Sequence, residues 1–180
     1  MVPNVLTLTK GSNTPVGTMQ IRVSLAWHGN PVEANVDTSA LLLGANERVQ
    51  SDADFVFYNQ SVHPTGAVSY ECRQVENGNA GRDSIRIDLP RAESYTEKIV
   101  IVGSVDHGQF SSLHGLHATV VDLDTGRTVI NFPIDGLTTE TALLVGELYR
   151  RAGVWKFRAV GQGYASGLRG VATDYGISVD

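Results

Sequence analysis

The stretch Met19-Gln20-Ile21-Arg22-Val23-Ser24-Leu25-Ala26-Trp27 alternates apolar and polar side chains almost without a break. A period of two is typical of a half-buried β-strand, and it places these apolar residues on one face: Met19, Ile21, Val23, Leu25 and Trp27. Because a strand with one apolar face must bury that face against another layer, the stretch predicts a second sheet packed on the first.

Similar short runs recur along the chain, separated by turn-forming residues. Residues 98–105 form a continuous run dominated by β-branched side chains, which predicts a central strand covered on both faces. Two pairs of runs, 118–123 with 128–132 and 142–150 with 154–160, flank short glycine-containing turns and predict hairpins. Further strands are predicted in these ranges: 5–9, 40–43, 55–58, 68–72 and 84–89.

Only residues 166–175 have helical spacing, with apolar side chains at steps of three and four residues. About ten short strands and one helix predict an all-β fold, a β-sandwich of two sheets with a short C-terminal helix. No long linker, low-complexity segment or repeat interrupts the chain. Residues 1–180 are therefore predicted to form a single domain.

The composition argues against several classes of function. Lys and Arg number 14 against 19 Asp and Glu, a formal net charge of -5, whereas nucleic-acid binding needs a concentrated basic face. No run approaches the roughly 18 apolar residues of a transmembrane segment, and the N-terminus lacks a signal-peptide pattern. The single cysteine, Cys72, is expected to be a half-buried strand residue, and its lack of a partner fits the cytoplasm.

Three polar clusters lie at residues 33–37, 51–54 and 76–83. Asp and Asn oxygens with glycine at the bends suit Ca²⁺, a hard cation that takes roughly six to eight oxygen ligands. The same residue types dominate ordinary solvated turns, and no cluster follows the EF-hand pattern. The residues alone therefore leave calcium binding and plain turns both open.

The histidines offer a second, weaker metal hypothesis. His107, His114 and His117 are close in sequence, but their spacing matches no strong zinc pattern. No Gly-x-Ser-x-Gly nucleophile motif is present, and the glycines at 161 and 163 lack the Lys-Ser/Thr ending of a phosphate loop. The chain is therefore expected to act by binding rather than catalysis, with a zinc enzyme as a minor alternative.

The segment 146–168, GELYRRAGVWKFRAVGQGYASGL, closely resembles the signature of the TerD family, the tellurium-resistance and stress-response domain. Shorter segments resemble other motifs of that family: Leu8-Thr9-Lys10-Gly11, Leu25-Ala26-Trp27, Leu41-Leu42-Leu43-Gly44 and residues 51–59. The resemblance covers nearly the whole chain. It implies a two-sheet sandwich, a cytoplasmic location, no enzyme activity and a scaffold role alongside other stress-response proteins.

The resemblance also implies calcium bound in acidic loops at one end of the sandwich. The implied charged ligands are Asp37, Asp54 and Asp83, and the implied neutral ligands are Asn35, Asn77 and Asn79. The leading hypothesis is therefore a non-enzymatic calcium-binding module of the chemical-stress response.

Two features depart from the family pattern. Asn35 stands where the family usually has Asp, and Arg82 brings a positive charge into a segment that is usually acidic. Fewer carboxylates predict weaker calcium binding, and Arg82 is a candidate to pair with Asp37 or Asp83 in place of a cation. The alternative hypothesis is a degenerate member that has lost calcium and serves as a protein-interaction module.

Overall fold

The computed structural model describes residues 4–30, 32–76 and 78–179, which form two six-stranded sheets packed face to face. In spatial order, the first sheet contains β1 (Leu6–Thr7), β10 (Arg127–Pro133), β9 (His114–Asp122), β3 (Gln20–His28), β7 (Ala80–Asp88) and β6 (Val68–Glu76). The second contains β2 (Asn13–Pro15), β12 (Val154–Tyr164), β11 (Ala142–Arg151), β8 (Lys98–Val105), β4 (Val36–Leu43) and β5 (Phe55–Val56).

The pairs are antiparallel apart from β1, which runs parallel to β10. The described residues also form three short 3-10 turns, at Asp52–Asp54, Leu89–Arg91 and Phe110–Ser112, and one helix, α1, at Gly167–Asp174. The predicted sandwich with a C-terminal helix is confirmed, and so are the hairpins β9–β10 and β11–β12.

Strand β3 shows how alternation builds the core. Ile21 and Val23 are 0% exposed and Trp27 is 3% exposed, all on the face that meets the second sheet. Full burial of a side chain of this size contributes roughly 1.5–3 kcal/mol. Met19 is 52% exposed, so its predicted place on the buried face is wrong. The strand begins at Gln20, and the alternating register therefore does not extend back to Met19.

Strand β8 is covered on both faces, as its continuous apolar run predicts. Ile99 and Ile101 belong to the core between the sheets, whereas Val100 and Val102 belong to a second cluster with α1. The helix places the fully buried Val171 in that cluster. Within the described ranges, no helix has both the length and the apolar character needed to cross a membrane.

Strand β4 is longer than its apolar residues predict, because it starts at Val36 rather than Ala40. Its polar first half stays extended by pairing with β8, as Asp37 does with Ser104. Strand β5 pairs only with Ala40 and Leu41 of β4. It ends at Val56, whereas the sequence predicts a strand to Tyr58. The first half of β4 is therefore an open edge of the second sheet.

Candidate functional site

Asp83 is a completely buried carboxylate on β7, on the face that carries the core residues Ile85 and Ile87. Its Oδ2 accepts hydrogen bonds from the backbone N–H of Thr38 at 2.6 Å and from the Thr38 hydroxyl at 2.9 Å. Its Oδ1 accepts one from the Tyr70 hydroxyl at 2.8 Å. Burial raises the pKa of Asp83, and these donors oppose that rise. Asp83 thus ties β7 to the open edge of β4.

Asp37, the next carboxylate along this edge, forms an ion pair with Arg73 of β6. The two side chains are only 17% and 22% exposed. Burial raises the pKa of Asp37; Arg73 opposes the rise, and the nearby carboxyl groups of Asp106 and Asp83 add to it. We call Asp37, Asp83, Asp106 and Arg73 the acidic edge, in which Arg73 pairs with Asp37 and two further carboxyl groups lie near Asp37.

A β-bulge in β6 places Arg73 at this edge. Glu71 pairs with Ser84, and Gln74 pairs with Arg82. Two residues of β6, Cys72 and Arg73, therefore lie opposite one residue of β7, Asp83. Such an extra residue bends the strand and redirects a side chain from the regular alternation. The side chain of Cys72 lies outside the part of the chain that the structure describes, so its predicted half-burial stays a prediction.

Arg82 does not pair with Asp37 or Asp83. It is exposed and directly precedes Asp83 on β7, and successive strand residues face opposite sides of a sheet. Its side chain lies on the outer face of the first sheet, beside Arg22 and Ser84. The guanidinium at this site belongs to Arg73 instead of Arg82. Arg73 reaches the site because of the bulge in β6, and the bulge depends on the register of the strands.

Asp54 belongs to a separate polar cluster. It lies opposite Leu42, since Phe55 pairs with Leu41, and so lies roughly 16 Å along β4 from Asp37 at about 3.3 Å per residue. Its carboxylate accepts a hydrogen bond from the Gln50 N–H at 2.8 Å and contacts Nε2 of His63 at 2.9 Å. The structure therefore does not bring Asp54 to the acidic edge.

The predicted asparagine ligands are also dispersed. Asn35 is half-buried and lies just before β4, two residues from Asp37. Asn79 is exposed in the β6–β7 hairpin, roughly 13 Å along the strand from Asp83, and its carbonyl accepts a hydrogen bond from the Gly29 N–H at 2.8 Å. Asn77 lies outside the described residues. Of the six predicted ligands, only Asp37 and Asp83 meet, with Asn35 beside Asp37.

Comparisons with known proteins agree with this sandwich. The sequence profile of the TerD domain matches residues 5–175. The chain is 34% identical to the tellurium resistance protein TerD of Serratia marcescens, covering 96% of this chain and 98% of that protein.

The chain belongs to the TerD family. It is also 30% identical to general stress protein 16U of Bacillus subtilis, over 97% of this chain and 98% of that protein. A solved TerD homologue from Streptomyces coelicolor A3(2) superposes with a TM-score of 0.64 at 20% identity, covering 87% of this chain and 96% of that one. That likeness supports the TerD-type fold.

The donor set of this TerD-family chain fits calcium in kind but not in arrangement. Asp37, Asp83 and Asp106 supply hard oxygen donors, which calcium prefers. However, Asp83 is bound to Thr38 and Tyr70, and Asp37 is bound to Arg73. Among the described residues, no three His, Cys, Asp or Glu side chains are placed to hold a metal ion, which also leaves the zinc hypothesis for His107, His114 and His117 without a site.

No sequence motif marks Arg73, Asp106, Tyr70 or Thr38 as members of this site. Asp106 follows β8 directly and reaches Asp37 because Val105 pairs with Val36. Tyr70 and Thr38 lie in segments that carry no local binding signal. Both residues donate to Asp83 only because their strands become its neighbours in the fold, and no sequence motif predicts that arrangement.

Proposed function

We propose that this chain is a non-enzymatic, cytoplasmic module of the chemical-stress response that acts by binding other stress-response proteins. We further propose that Arg73 takes the place of a metal ion at its acidic edge. The observation that carries this proposal is the ion pair between Arg73 and Asp37. The stress-response setting is supported by relatives named for tellurium resistance and general stress.

A guanidinium and a calcium ion would neutralise the same carboxylates, so the two compete for one position. Arg73 is tethered by its own strand and is always present at the edge, whereas free calcium must be recruited from solution. Asp83 has already acquired three hydrogen-bond donors from Thr38 and Tyr70. The acidic edge is therefore stable without a metal, and it serves to fasten the two sheets together.

Calcium binding is the second candidate function, through Asp37, Asp83 and Asp106 with Asn35 nearby. It is favoured by the charge balance, because Asp37 has one guanidinium as its partner and two further carboxyl groups nearby. Burial raises the pKa of Asp37, and the two neighbouring carboxyl groups raise it further. A divalent ion would neutralise this excess negative charge, but only after Arg73 had left the edge.

Calorimetric titration of chelator-treated protein with calcium separates the two candidates. We expect no saturable heat and no rise in melting temperature up to millimolar calcium, because Arg73 already neutralises Asp37. Elemental analysis of the purified chain should accordingly find calcium well below one equivalent. One equivalent of calcium would contradict the proposal and establish the second candidate, provided that Asp37→Asn loses it while the exposed Asp124→Asn retains it.

A further inference from the structure

The outer face of the first sheet carries a polar basin that lies apart from the acidic edge. Its volume is about 310 Å³, and its lining residues come from three strands: Arg22, Glu71, Gln74, Arg82 and Ser84. The Ser84 hydroxyl lies 2.8 Å from the Ser24 hydroxyl, and these two serines are only 6% and 2% exposed. The basin therefore combines buried hydroxyl groups with charged walls.

Arg22 is held in a fixed orientation beside this basin. Its Nε and Nη2 donate to the two carboxylate oxygens of Glu71 at 2.5 and 3.2 Å. A two-point contact of this kind fixes the plane of a guanidinium. It also neutralises Glu71, while no described residue accepts a hydrogen bond from Nη1 of Arg22. Arg22 thus retains donors for a ligand.

Arg82 supplies a second guanidinium. It is exposed, and within 4–30, 32–76 and 78–179 no residue forms an ion pair or side-chain hydrogen bond with it. Arg86 lies directly opposite Arg22 in the β3–β7 ladder, and like charges in that position repel. Three arginines on this face are opposed by two glutamates, Glu71 and Glu76, and Glu76 lines a neighbouring cavity with Arg82. The small local excess of positive charge attracts anions.

We propose that this basin binds a small oxyanion of the phosphate type between Arg22 and Arg82, with the Ser84 hydroxyl as a further donor. The planar fork of a guanidinium matches pairs of phosphate oxygens. Arg82 lies four residues along β7 from the residue opposite Arg22, so the two long side chains approach the basin from opposite ends. The phosphate group is either free in solution or the headgroup of an anionic lipid.

Titration with inorganic phosphate, at an ionic strength held constant with sodium chloride, tests the proposal by backbone amide NMR. We expect saturable shifts in β3, β6 and β7, and at least tenfold weaker binding by Arg82→Gln. That variant should stay folded, because the Arg82 side chain is exposed and unpaired among the described residues. Arg151→Gln, which changes an exposed arginine of the second sheet, is the matched control and should bind like the unaltered chain.

Vesicles of phosphatidylcholine with and without phosphatidylglycerol distinguish the two sources of phosphate. Arg82-dependent binding to the anionic vesicles alone identifies a headgroup, and Arg82-dependent binding of inorganic phosphate identifies the free ion. Arg22→Gln should weaken whichever probe binds. The proposal is overturned if neither probe binds, or if Arg82→Gln and the unaltered chain bind equally well.

Discussion

Replacing Asp83 with alanine is expected to lower the free energy of unfolding by about 3 kcal/mol. Three donors lose their acceptor in the change: the Thr38 N–H, the Thr38 hydroxyl and the Tyr70 hydroxyl. Leaving a buried donor unsatisfied costs about 1–3 kcal/mol. The hydroxyl groups can rotate toward other acceptors, but the backbone N–H of Thr38 on the open edge of β4 cannot.

Urea denaturation measures this loss directly. Asp83→Asn keeps the side-chain shape and one acceptor oxygen, so it should cost less, about 1 kcal/mol. The exposed Asp124→Asn in the β9–β10 hairpin is the control and should change stability by no more than about 0.5 kcal/mol. If Asp83→Ala were as stable as this control, Asp83 would not be fastening the two sheets.

Replacing Arg73 with glutamine is expected to give the acidic edge a calcium affinity at least tenfold higher than that of the unaltered chain, about 1.4 kcal/mol of binding free energy. The change removes the cation that neutralises Asp37, while the neighbouring carboxyl groups of Asp83 and Asp106 remain. Calcium, a hard divalent ion, is suited to such carboxylate oxygens. Calorimetric titration of the chelator-treated variant measures the gain.

Arg82→Gln is the matched control for this gain. It removes the same charge from the neighbouring strand, but on the outer face of the first sheet, so any effect of net charge alone should appear equally in both variants. We expect no change of calcium affinity in this control, and loss of the gain in the double variant Arg73→Gln/Asp37→Asn. Equal affinities in Arg73→Gln and the unaltered chain would show that Arg73 does not hold the metal position.

The sandwich was predictable because the positions of apolar residues in the sequence indicate which faces of the strands are buried. The alternation in β3, the continuous run in β8 and the glycine-containing hairpins each carry the period or turn chemistry of the element they form. Polar residues at strand ends carry no such signal. The polar clusters predict loops at Asp37 and Asp83, yet both residues lie on strands that their pairing partners hold extended.

The site was only partly predictable, because its membership is decided by strand register. Sequence proximity grouped Arg82 with Asp83, although alternation along β7 places them on opposite faces. The bulge at Cys72 and Arg73 brings a different arginine to the edge. Asp54 looked equivalent to Asp37 in composition, but it lies at the other end of β4 with His63.

The Nε–Hε NMR signal of Arg73 during a calcium titration tests whether Arg73 occupies the place of a metal ion. Its Nε is buried and forms no hydrogen bond with a described residue, so slow exchange of its proton reports the burial of a guanidinium that pairs with Asp37 through Nη2. We expect a signal that is present in chelator-treated protein, lost in Asp37→Asn and unchanged up to millimolar calcium. Loss of the signal in the unaltered chain, saturating at one equivalent of calcium, would show that calcium displaces Arg73 and that Arg73 does not occupy the place of the metal.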